Sequence, residues 1–136
     1  MRASHTVPAR VGRYALRMGL RVLVIDDNDD FRAAVRQLLE RRGLVVVAEA
    51  AAGAEGVRAA QAHAPDLAIV DVQLPDIDGF AVAEQLGELA PAPTVILTSS
   101  LDPADFGALL DTSPALGFIP KAQLSARAIE TLIAGP

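Results

Sequence analysis

The chain contains no cysteine and no tryptophan, and aromatic residues make up only 4% of its 136 residues. The lack of cysteine excludes disulfide bonds, thiolate-ligated metals and a cysteine nucleophile. It also agrees with the reducing cytosol, so we expect a cytoplasmic protein. Lysine is nearly absent as well, because Lys121 is the single lysine among twelve basic residues.

Long apolar runs are also missing. No segment approaches the ~18 consecutive apolar residues that a transmembrane helix needs, and the first residues lack the apolar stretch of a secretory signal. We therefore expect no membrane association. The balance of 51% hydrophobic and 21% charged residues is that of a globular protein, and 136 residues are enough to bury one core.

Negative charge dominates most of the chain, whereas positive charge is concentrated at its start. Residues 1–19 hold four arginines and no acid, and the rest holds eight basic and seventeen acidic residues. The net charge of −5 therefore divides into +4 and −9. We expect a flexible basic arm over residues 1–19 and one domain over residues 20–134. Because an acidic domain lacks the basic stripe that phosphate backbones require, we expect no nucleic-acid binding.

Short apolar segments rich in Val, Ile and Leu alternate with segments whose apolar residues recur at helical spacing. This alternation predicts an α/β fold, a doubly wound parallel sheet of five strands with five helices on its two faces. The predicted strands cover residues 20–25, 45–47, 67–70, 94–97 and 117–119. The predicted helices cover residues 31–39, 54–64, 80–89, 103–110 and 126–133.

Chemically active side chains follow four of the predicted strands. Asp26 and Asp27 follow the first strand, Asp71 the third, Thr98 the fourth and Lys121 the fifth. The carboxyl ends of parallel strands meet at one edge of the sheet, where such sheets bind their ligands. We therefore expect these five residues to lie together. Since the four carboxylates of the stretch "DDNDD" repel one another, a positive group is expected beside them.

Four motifs occur in order at these strand ends, namely "VIDDND", "IVDVQLPDIDG", "VILTSS" and "GFIPKA". Together they resemble the receiver domain of two-component response regulators, and the resemblance covers residues 21–134. The spacing agrees with it, since 44 or 45 residues separate the acid pair from Asp71 and 50 separate Asp71 from Lys121. We accordingly expect a flavodoxin-like strand order, 2-1-3-4-5.

The resemblance implies that Asp71 is the phosphoacceptor, which would take a phosphoryl group from the phosphohistidine of a sensor histidine kinase. Lys121 would pair with the bound phosphate, and the Thr98 hydroxyl would hydrogen-bond to it. Phe118 matches the switch aromatic of the family, which turns inward when that hydroxyl moves toward the phosphate. Catalysis would be limited to this transfer and to slow loss of the phosphate, so we do not expect an enzyme.

The resemblance also implies a magnesium site. Asp26, Asp27, Asp71 and the main-chain carbonyl of Gln73 would hold Mg²⁺, an ion that takes oxygen ligands in octahedral geometry. The ion would be the positive partner of the acidic stretch. It would also offset negative charge during phosphoryl transfer.

Three further expectations concern single positions. Gln73 and Ser100 lie where the family tunes the lifetime of the aspartyl phosphate, and since neither is acidic we expect slow to moderate self-dephosphorylation. Asp29 and Asp30 are expected to cap the first helix. Lys121 is preceded by proline rather than followed by it, so we expect a trans peptide bond after Lys121.

A receiver of this kind would act as a two-state switch between the kinase and a downstream protein or output domain. A ligand shifts such an equilibrium only by its differential affinity for the two states. We expect the state to be read on the surface formed by residues 102–110, 117–119 and 124–133, here called the readout face. Partner docking or formation of a homodimer would take place there.

Other interpretations stay open at this point. A phosphorylation-independent interaction module would keep the surface of a receiver fold without its chemistry. A magnesium-dependent phosphatase of the haloacid dehalogenase type also uses a strand-end aspartate, but it needs a second aspartate where Gln73 stands. The sequence also leaves open whether the chain is a stand-alone receiver or part of a longer regulator.

Overall fold

Five parallel strands form one sheet in the computed structural model, which describes residues 19–135. Their order across the sheet is β2-β1-β3-β4-β5, which confirms the predicted topology. The expected basic arm lies outside the described residues except for Gly19. The strands are β1 (Arg21–Ile25), β2 (Val45–Ala50), β3 (Leu67–Asp71), β4 (Thr94–Ser99) and β5 (Gly117–Pro120).

Helices connect successive strands of the described part of the chain. Between residues 19 and 135, no helix combines the length and the apolarity that a membrane span demands. The α-helices are α1 (Asp29–Glu40), α2 (Gly53–His63), α3 (Gly79–Gly87), α4 (Ala108–Thr112) and α5 (Ala126–Ala134), and two 3-10 turns cover Pro103–Phe106 and Lys121–Gln123.

The sheet separates two apolar clusters, one on each face. Side chains alternate between the faces of a strand, so Val22 and Val24 join one cluster while Leu23 and Ile25 join the other. Helices α1 and α5 complete the first cluster, and α2 and α3 complete the second. These four residues of β1 are fully buried. A strand covered on both faces explains why its sequence is a continuous apolar run.

The prediction of one continuous helix over residues 103–110 is wrong, because the segment is broken at Gly107. Asp102 accepts a hydrogen bond from the Ala104 N–H (2.8 Å) and caps a 3-10 turn that ends at Phe106. Gly107 then adopts φ +53° and ψ −131°, outside the helical region, before α4 begins. Glycine reaches this conformation readily because it has no Cβ. The segment is therefore two short pieces joined at a glycine.

The start of α1 also differs from the expectation. Asn28 is the N-cap, since its side chain accepts a hydrogen bond from the Phe31 N–H (2.9 Å), whereas Asp29 and Asp30 lie in the first turn. Carboxylates in that turn still favour the positive end of the helix. Ser125 is the N-cap of α5, because its hydroxyl accepts a hydrogen bond from the Ala128 N–H (3.0 Å).

The peptide bond after Lys121 is trans, as expected. Within residues 19–135 the cis peptide bond is the one between Ala90 and Pro91. The chain therefore reaches Lys121 through β5 and leaves it through a 3-10 turn with ordinary peptide geometry.

Candidate functional site

The carboxyl edge of the sheet brings together the side chains that follow its strands. Asp71 is the last residue of β3 and pairs in register with Thr98 of β4. Asp26 directly follows β1, and Lys121 directly follows β5. Parallel pairing places the ends of all these strands at one edge, and this is the edge at which doubly wound sheets bind ligands.

Asp26 is fixed through both its main chain and its carboxylate. Its N–H donates to the Ala50 carbonyl (2.9 Å), and its Oδ1 accepts from the Asn28 N–H (2.8 Å). Its Oδ2 lies 2.8 Å from the Lys121 Nζ. The residue is only 1% exposed. A buried charge is tolerated when it is paired and hydrogen-bonded in this way.

Asp71 is buried beside the same lysine. Its Oδ2 lies 3.2 Å from the Lys121 Nζ, and its Oδ1 accepts from the Gln73 N–H (3.1 Å). Only 4% of the residue is exposed. The Lys121 ammonium also lies 4.5 Å from the ring centroid of Phe31, where a cation is attracted to the aromatic face. One lysine thus bridges two buried carboxylates under a ring.

Burial and neighbouring charges have opposing effects on the pKa values of Asp71 and Lys121. Burial raises the pKa of Asp71, and the charge of Asp26 adds to the rise, although the Gln73 N–H and the Lys121 ammonium oppose it. Burial lowers the pKa of Lys121, but the hydrogen bonds and charges of Asp26 and Asp71 outweigh burial, so the pKa of Lys121 is raised. The lysine therefore stays charged, and ionised Asp71 is a comparatively basic carboxylate.

Three carboxylates are close enough to share a cation. One oxygen each from Asp26, Asp27 and Asp71 lie within 4.8 Å of one another. Asp27 is exposed, whereas the other two acids are buried, so solvent reaches the cluster from one side. Hard oxygen donors that leave room for water suit Mg²⁺, which takes few protein ligands and keeps several waters. The residues present therefore fit a magnesium site.

A buried hydroxyl stands next to this cluster. Thr98 is fully buried, and within the described residues its Oγ1 has no hydrogen-bond partner. A buried polar atom without a partner costs free energy. The neighbouring Ser99 hydroxyl instead accepts from the Leu101 N–H (3.1 Å), which fixes the start of the following loop. Thr98 is therefore the hydroxyl that is available to a ligand at Asp71.

The loop after Asp71 is held against the site by tight packing. The Gly79 N–H donates to the Val72 carbonyl (2.7 Å), and a Cβ on Gly79 would lie 2.4 Å from the Asp71 carbonyl oxygen. Only glycine fits this approach. Within the loop, Gln73 is exposed.

Asp76, in the same loop, caps a helix from another part of the chain. Its carboxylate accepts from the Gly53 N–H (2.7 Å) and the Ala54 N–H (2.9 Å) of α2. Helix α2 has no side-chain cap of its own, because Ala52 precedes it. These two hydrogen bonds lower the pKa of Asp76 to about 2. The local sequence around Asp76 does not indicate this link to a distant helix.

Three of the four phenylalanines form a row beside the site. The ring centroids of Phe80 and Phe106 are 5.6 Å apart, and those of Phe106 and Phe118 are 5.7 Å apart. Phe118 is half-buried rather than enclosed. The row connects β5 with the 3-10 turn before Gly107 and with α3.

An open groove of about 740 Å³ lies along β5 and α5 and overlaps the predicted readout face. Its walls are mostly apolar and include Phe118, Leu116 and Leu132, with Arg127 at its rim. Exposed apolar surface of this kind is typical of a protein-interaction site. Phe118 belongs both to the aromatic row and to the readout face.

The sequence comparisons agree on one family. The sequence model described as the response regulator receiver domain matches residues 22–133. Chemotaxis protein CheY of Bacillus subtilis is 31% identical over 84 residues, covering 62% of this chain and 70% of CheY. A protein described as a transcriptional regulator from Pseudomonas aeruginosa is 40% identical over 101 residues, covering 74% of this chain and 49% of its own length. The chain thus spans about half of that relative.

Solved structures with the same fold are also similar in sequence. The signal receiver domain of the response regulator NarL from Mycobacterium tuberculosis is 34% identical, with a TM-score of 0.71 over 83% of this chain and 91% of that one. A two-component response regulator of the LuxR family from Aurantimonas sp. SI85-9A1 is 29% identical, with a TM-score of 0.75 over 86% of each chain.

Proposed function

The chain belongs to the response regulator receiver domain family, whose members act in phosphorylation-based signalling, and from this premise we propose that it is a switch phosphorylated on Asp71 by a sensor histidine kinase. The observation that carries the proposal is the buried Asp71 carboxylate, which lies within 4.8 Å of carboxylate oxygens of the other two acids and 3.2 Å from the only lysine of the chain.

The proposed step is an in-line transfer to a carboxylate. An oxygen of Asp71 attacks phosphorus, the O–P bond forms, and the P–N bond of the kinase phosphohistidine breaks with its electron pair going to the imidazole nitrogen. The product is an acyl phosphate. Catalysis of such a transfer consists mostly of positioning and of stabilising charge. Burial supports this role, because it makes Asp71 a more basic nucleophile once it is ionised.

We propose that Asp26, Asp27, Asp71 and the carbonyl of Gln73 hold Mg²⁺. When bound, the ion supplies charge neutralisation between the anionic donor and the carboxylate nucleophile. The mutual proximity of the three carboxylate oxygens supports this assignment. Lys121 and Thr98 then act on the product: the ammonium pairs with the phosphoryl oxygens, and the free Thr98 hydroxyl donates a hydrogen bond to one of them.

Phosphorylation is proposed to change the readout face. Movement of the Thr98 hydroxyl toward the phosphate leaves space into which Phe118 turns, and the aromatic row with Phe106 carries this change to the segment around Gly107. Receiver domains interact with histidine kinases and output domains, and we propose that a downstream protein or a second copy of the chain docks here. The apolar groove along β5 and α5 supports such docking.

Three further properties of this chain belong to the same proposal. We propose a receiver domain over residues 20–134 preceded by a basic arm over residues 1–19, a location in the cytoplasm, and catalysis by this chain of only its own phosphorylation and slow dephosphorylation.

A small-molecule donor tests the proposal without knowledge of the kinase. Incubation with acetyl phosphate and Mg²⁺ should add one phosphoryl group, detected by intact-protein mass spectrometry, and a chelator should prevent it. If no phosphoryl group is added while partner binding persists, the chain is a phosphorylation-independent interaction module. Catalytic release of phosphate from added esters would instead indicate a phosphatase.

The exposed Gln73 side chain is proposed to shield the aspartyl phosphate from water. Replacing it with alanine should speed the loss of phosphate several-fold, because water reaches the phosphorus more easily. Ser100→Ala is the matched control, since a small hydroxyl positions water only weakly and the rate should change less. Equal rates for Gln73→Ala and the unmodified protein would make Gln73 a bystander.

A further inference from the structure

Arg32, in the first turns of α1, contacts the main chain of the acidic site. Its guanidinium donates to the carbonyl oxygen of Asp26 and to the carboxylate of Asp29. Its Nε donates to the Glu49 Oε1 on β2 (3.1 Å). The side chain is only 15% exposed, so it is held between α1, β2 and the loop rather than extended into solvent.

The contact at Asp26 completes the fixation of that residue. The Asp26 N–H is bound to the Ala50 carbonyl of β2, and its carbonyl is bound to Arg32, so both neighbouring peptide groups are anchored. The carboxylate of Asp26 is bound by the Asn28 N–H and by Lys121. Arg32 thus supplies a side-chain hydrogen bond to the main chain of this acid.

Arg32 is itself oriented from its far side. Glu49 accepts from the Arg36 Nε (2.8 Å) through Oε2 and leaves Oε1 to Arg32. Arg36 also pairs with Glu40 (3.0 Å), so a network of ion pairs runs along the solvent side of α1. A planar guanidinium with several fixed donors can bind three acceptors at once, which an ammonium cannot do with the same geometry.

We propose that Arg32 is a positioning residue of the cation site: it fixes the main chain at Asp26, so that the carboxylates of Asp26 and Asp27 stand ready to bind Mg²⁺. This inference rests on the proposed function, because it takes Mg²⁺ as the ligand. Partners that orient metal ligands commonly change metal affinity by about 10–100-fold when they are removed. No part of this role could be read from the spacing of the motifs.

Electrostatics alone predicts the opposite sign. A positive guanidinium near a divalent cation repels it, so removal of the Arg32 charge would tighten Mg²⁺ binding if charge were all that mattered. Loss of positioning weakens binding instead. The direction of the change therefore separates the two effects.

The test is Mg²⁺ binding by the full chain, measured by isothermal titration calorimetry for Arg32→Gln, Arg32→Lys and Arg36→Gln. Arg36→Gln is the matched control, because it removes the same charge from the same helix and the same Glu49 partner without touching Asp26. We expect both Arg32 variants to bind Mg²⁺ at least about 10-fold more weakly. Arg36→Gln should bind nearly as the unmodified protein does, because Arg32 keeps its own contacts with Asp26 and Glu49 in that variant. Urea unfolding of each variant shows that it is folded.

Amide hydrogen exchange in metal-free protein gives a second readout. Exchange at Asp26 and Asn28 should be faster in both Arg32 variants and unchanged in Arg36→Gln. Unchanged or tighter Mg²⁺ binding by Arg32→Gln, or equal weakening by Arg36→Gln, would overturn the inference. If the unmodified protein bound no Mg²⁺, the proposed function would fail instead, and the exchange data would still show whether Arg32 fixes the loop.

Discussion

Two buried aspartates stand at opposite ends of strand β3 and are treated by the fold in opposite ways. Asp66, 5% exposed, directly precedes the strand, and its carboxylate accepts from the Arg21 main-chain N–H (2.9 Å). Asp71, 4% exposed, ends the strand and faces Asp26 across Lys121. One acid ties two neighbouring strands together, and the other is placed next to another acid.

The difference shows where the fold accepts a loss of stability to place a reactive group. A buried carboxylate that meets main-chain donors stabilises the folded state, whereas one that meets a like charge raises its energy. Such arrangements are concentrated at functional sites. Burial alone therefore does not separate a structural acid from a reactive one, but the partners of the carboxylate do.

The largest expected difference between the two acids is in phosphorylation. Asp71→Asn should abolish incorporation of phosphate from acetyl phosphate, because an amide oxygen is not a competent nucleophile. Asp66→Asn, the matched change at the other end of the strand, keeps an acceptor for Arg21 and should leave the extent of incorporation unchanged. Mass spectrometry of both variants measures the contrast, and full labelling of Asp71→Asn would contradict the account.

Stability should separate the acids with opposite signs. Asp66→Ala leaves the partly buried main-chain N–H of Arg21 without its acceptor and should lower the free energy of unfolding by about 1–3 kcal/mol. Asp71→Asn should raise it. The pKa of Asp71 is raised in the folded protein. Ionisation of Asp71 therefore lowers the stability of the folded state as the pH rises above the pKa that Asp71 has in the unfolded chain. The gain should therefore be larger at pH 8 than at pH 4.

Urea unfolding without divalent cations measures both effects. Asp71 is the informative case, because removal of a buried polar group normally destabilises a protein. If Asp71→Asn lowered the free energy of unfolding at pH 8, both carboxylates would stabilise the folded state. The contrast between Asp66 and Asp71 would then be wrong.

A smaller effect is expected where Phe31 covers the lysine of the site. The contact between its ring and the Lys121 ammonium should contribute about 0.5–2 kcal/mol, a range from exposed to desolvated pairs, since the lysine is partly buried. A double-mutant cycle with Phe31→Leu and Lys121→Met isolates this coupling, because leucine keeps the apolar packing. A coupling energy of zero would remove Phe31 from the description of the site.

The smallest effect at neutral pH is expected at Asp76, an exposed acid held by main-chain N–H groups as Asp66 is. Its pKa is lowered to about 2, so the stability it contributes is present above its unfolded value of 3.8 and is lost as pH falls toward 2. Amide exchange at Gly53 and Ala54 should accelerate over that range. In Asp76→Asn the exchange at these amides should lose this acid dependence, and a variant that kept it would exclude Asp76 as its source.

The sequence predicted the site where chemistry and topology coincide. Asp26, Asp71, Thr98 and Lys121 each follow an apolar strand, and a parallel sheet brings strand ends together whatever the loops do. The strand order was expected from the resemblance to the receiver family, and it was predicted correctly. The roles of these side chains remain a proposal, although their placement agrees with it.

The rest depends on contacts between distant segments or on a single backbone angle. Arg32 contacts Glu49, and Asp76 caps α2 from a position 22 or 23 residues further along the chain. No periodic pattern in the sequence predicts either contact. The break at Gly107 was missed because the N-cap and the proline before it favour a helix, while one glycine conformation ends it. Local patterns predict elements, but long-range partners follow only from the assembled fold.

Nuclear magnetic resonance with beryllofluoride, which stands in for a phosphoryl group on a carboxylate, tests the central claim most directly. With Mg²⁺ present, we expect saturable shifts at Asp71, Thr98 and Lys121 and further shifts at Phe118 on the readout face. Neither component alone should produce them, and Asp71→Asn should show none. A spectrum that does not change, or one that changes equally in Asp71→Asn, would contradict the account.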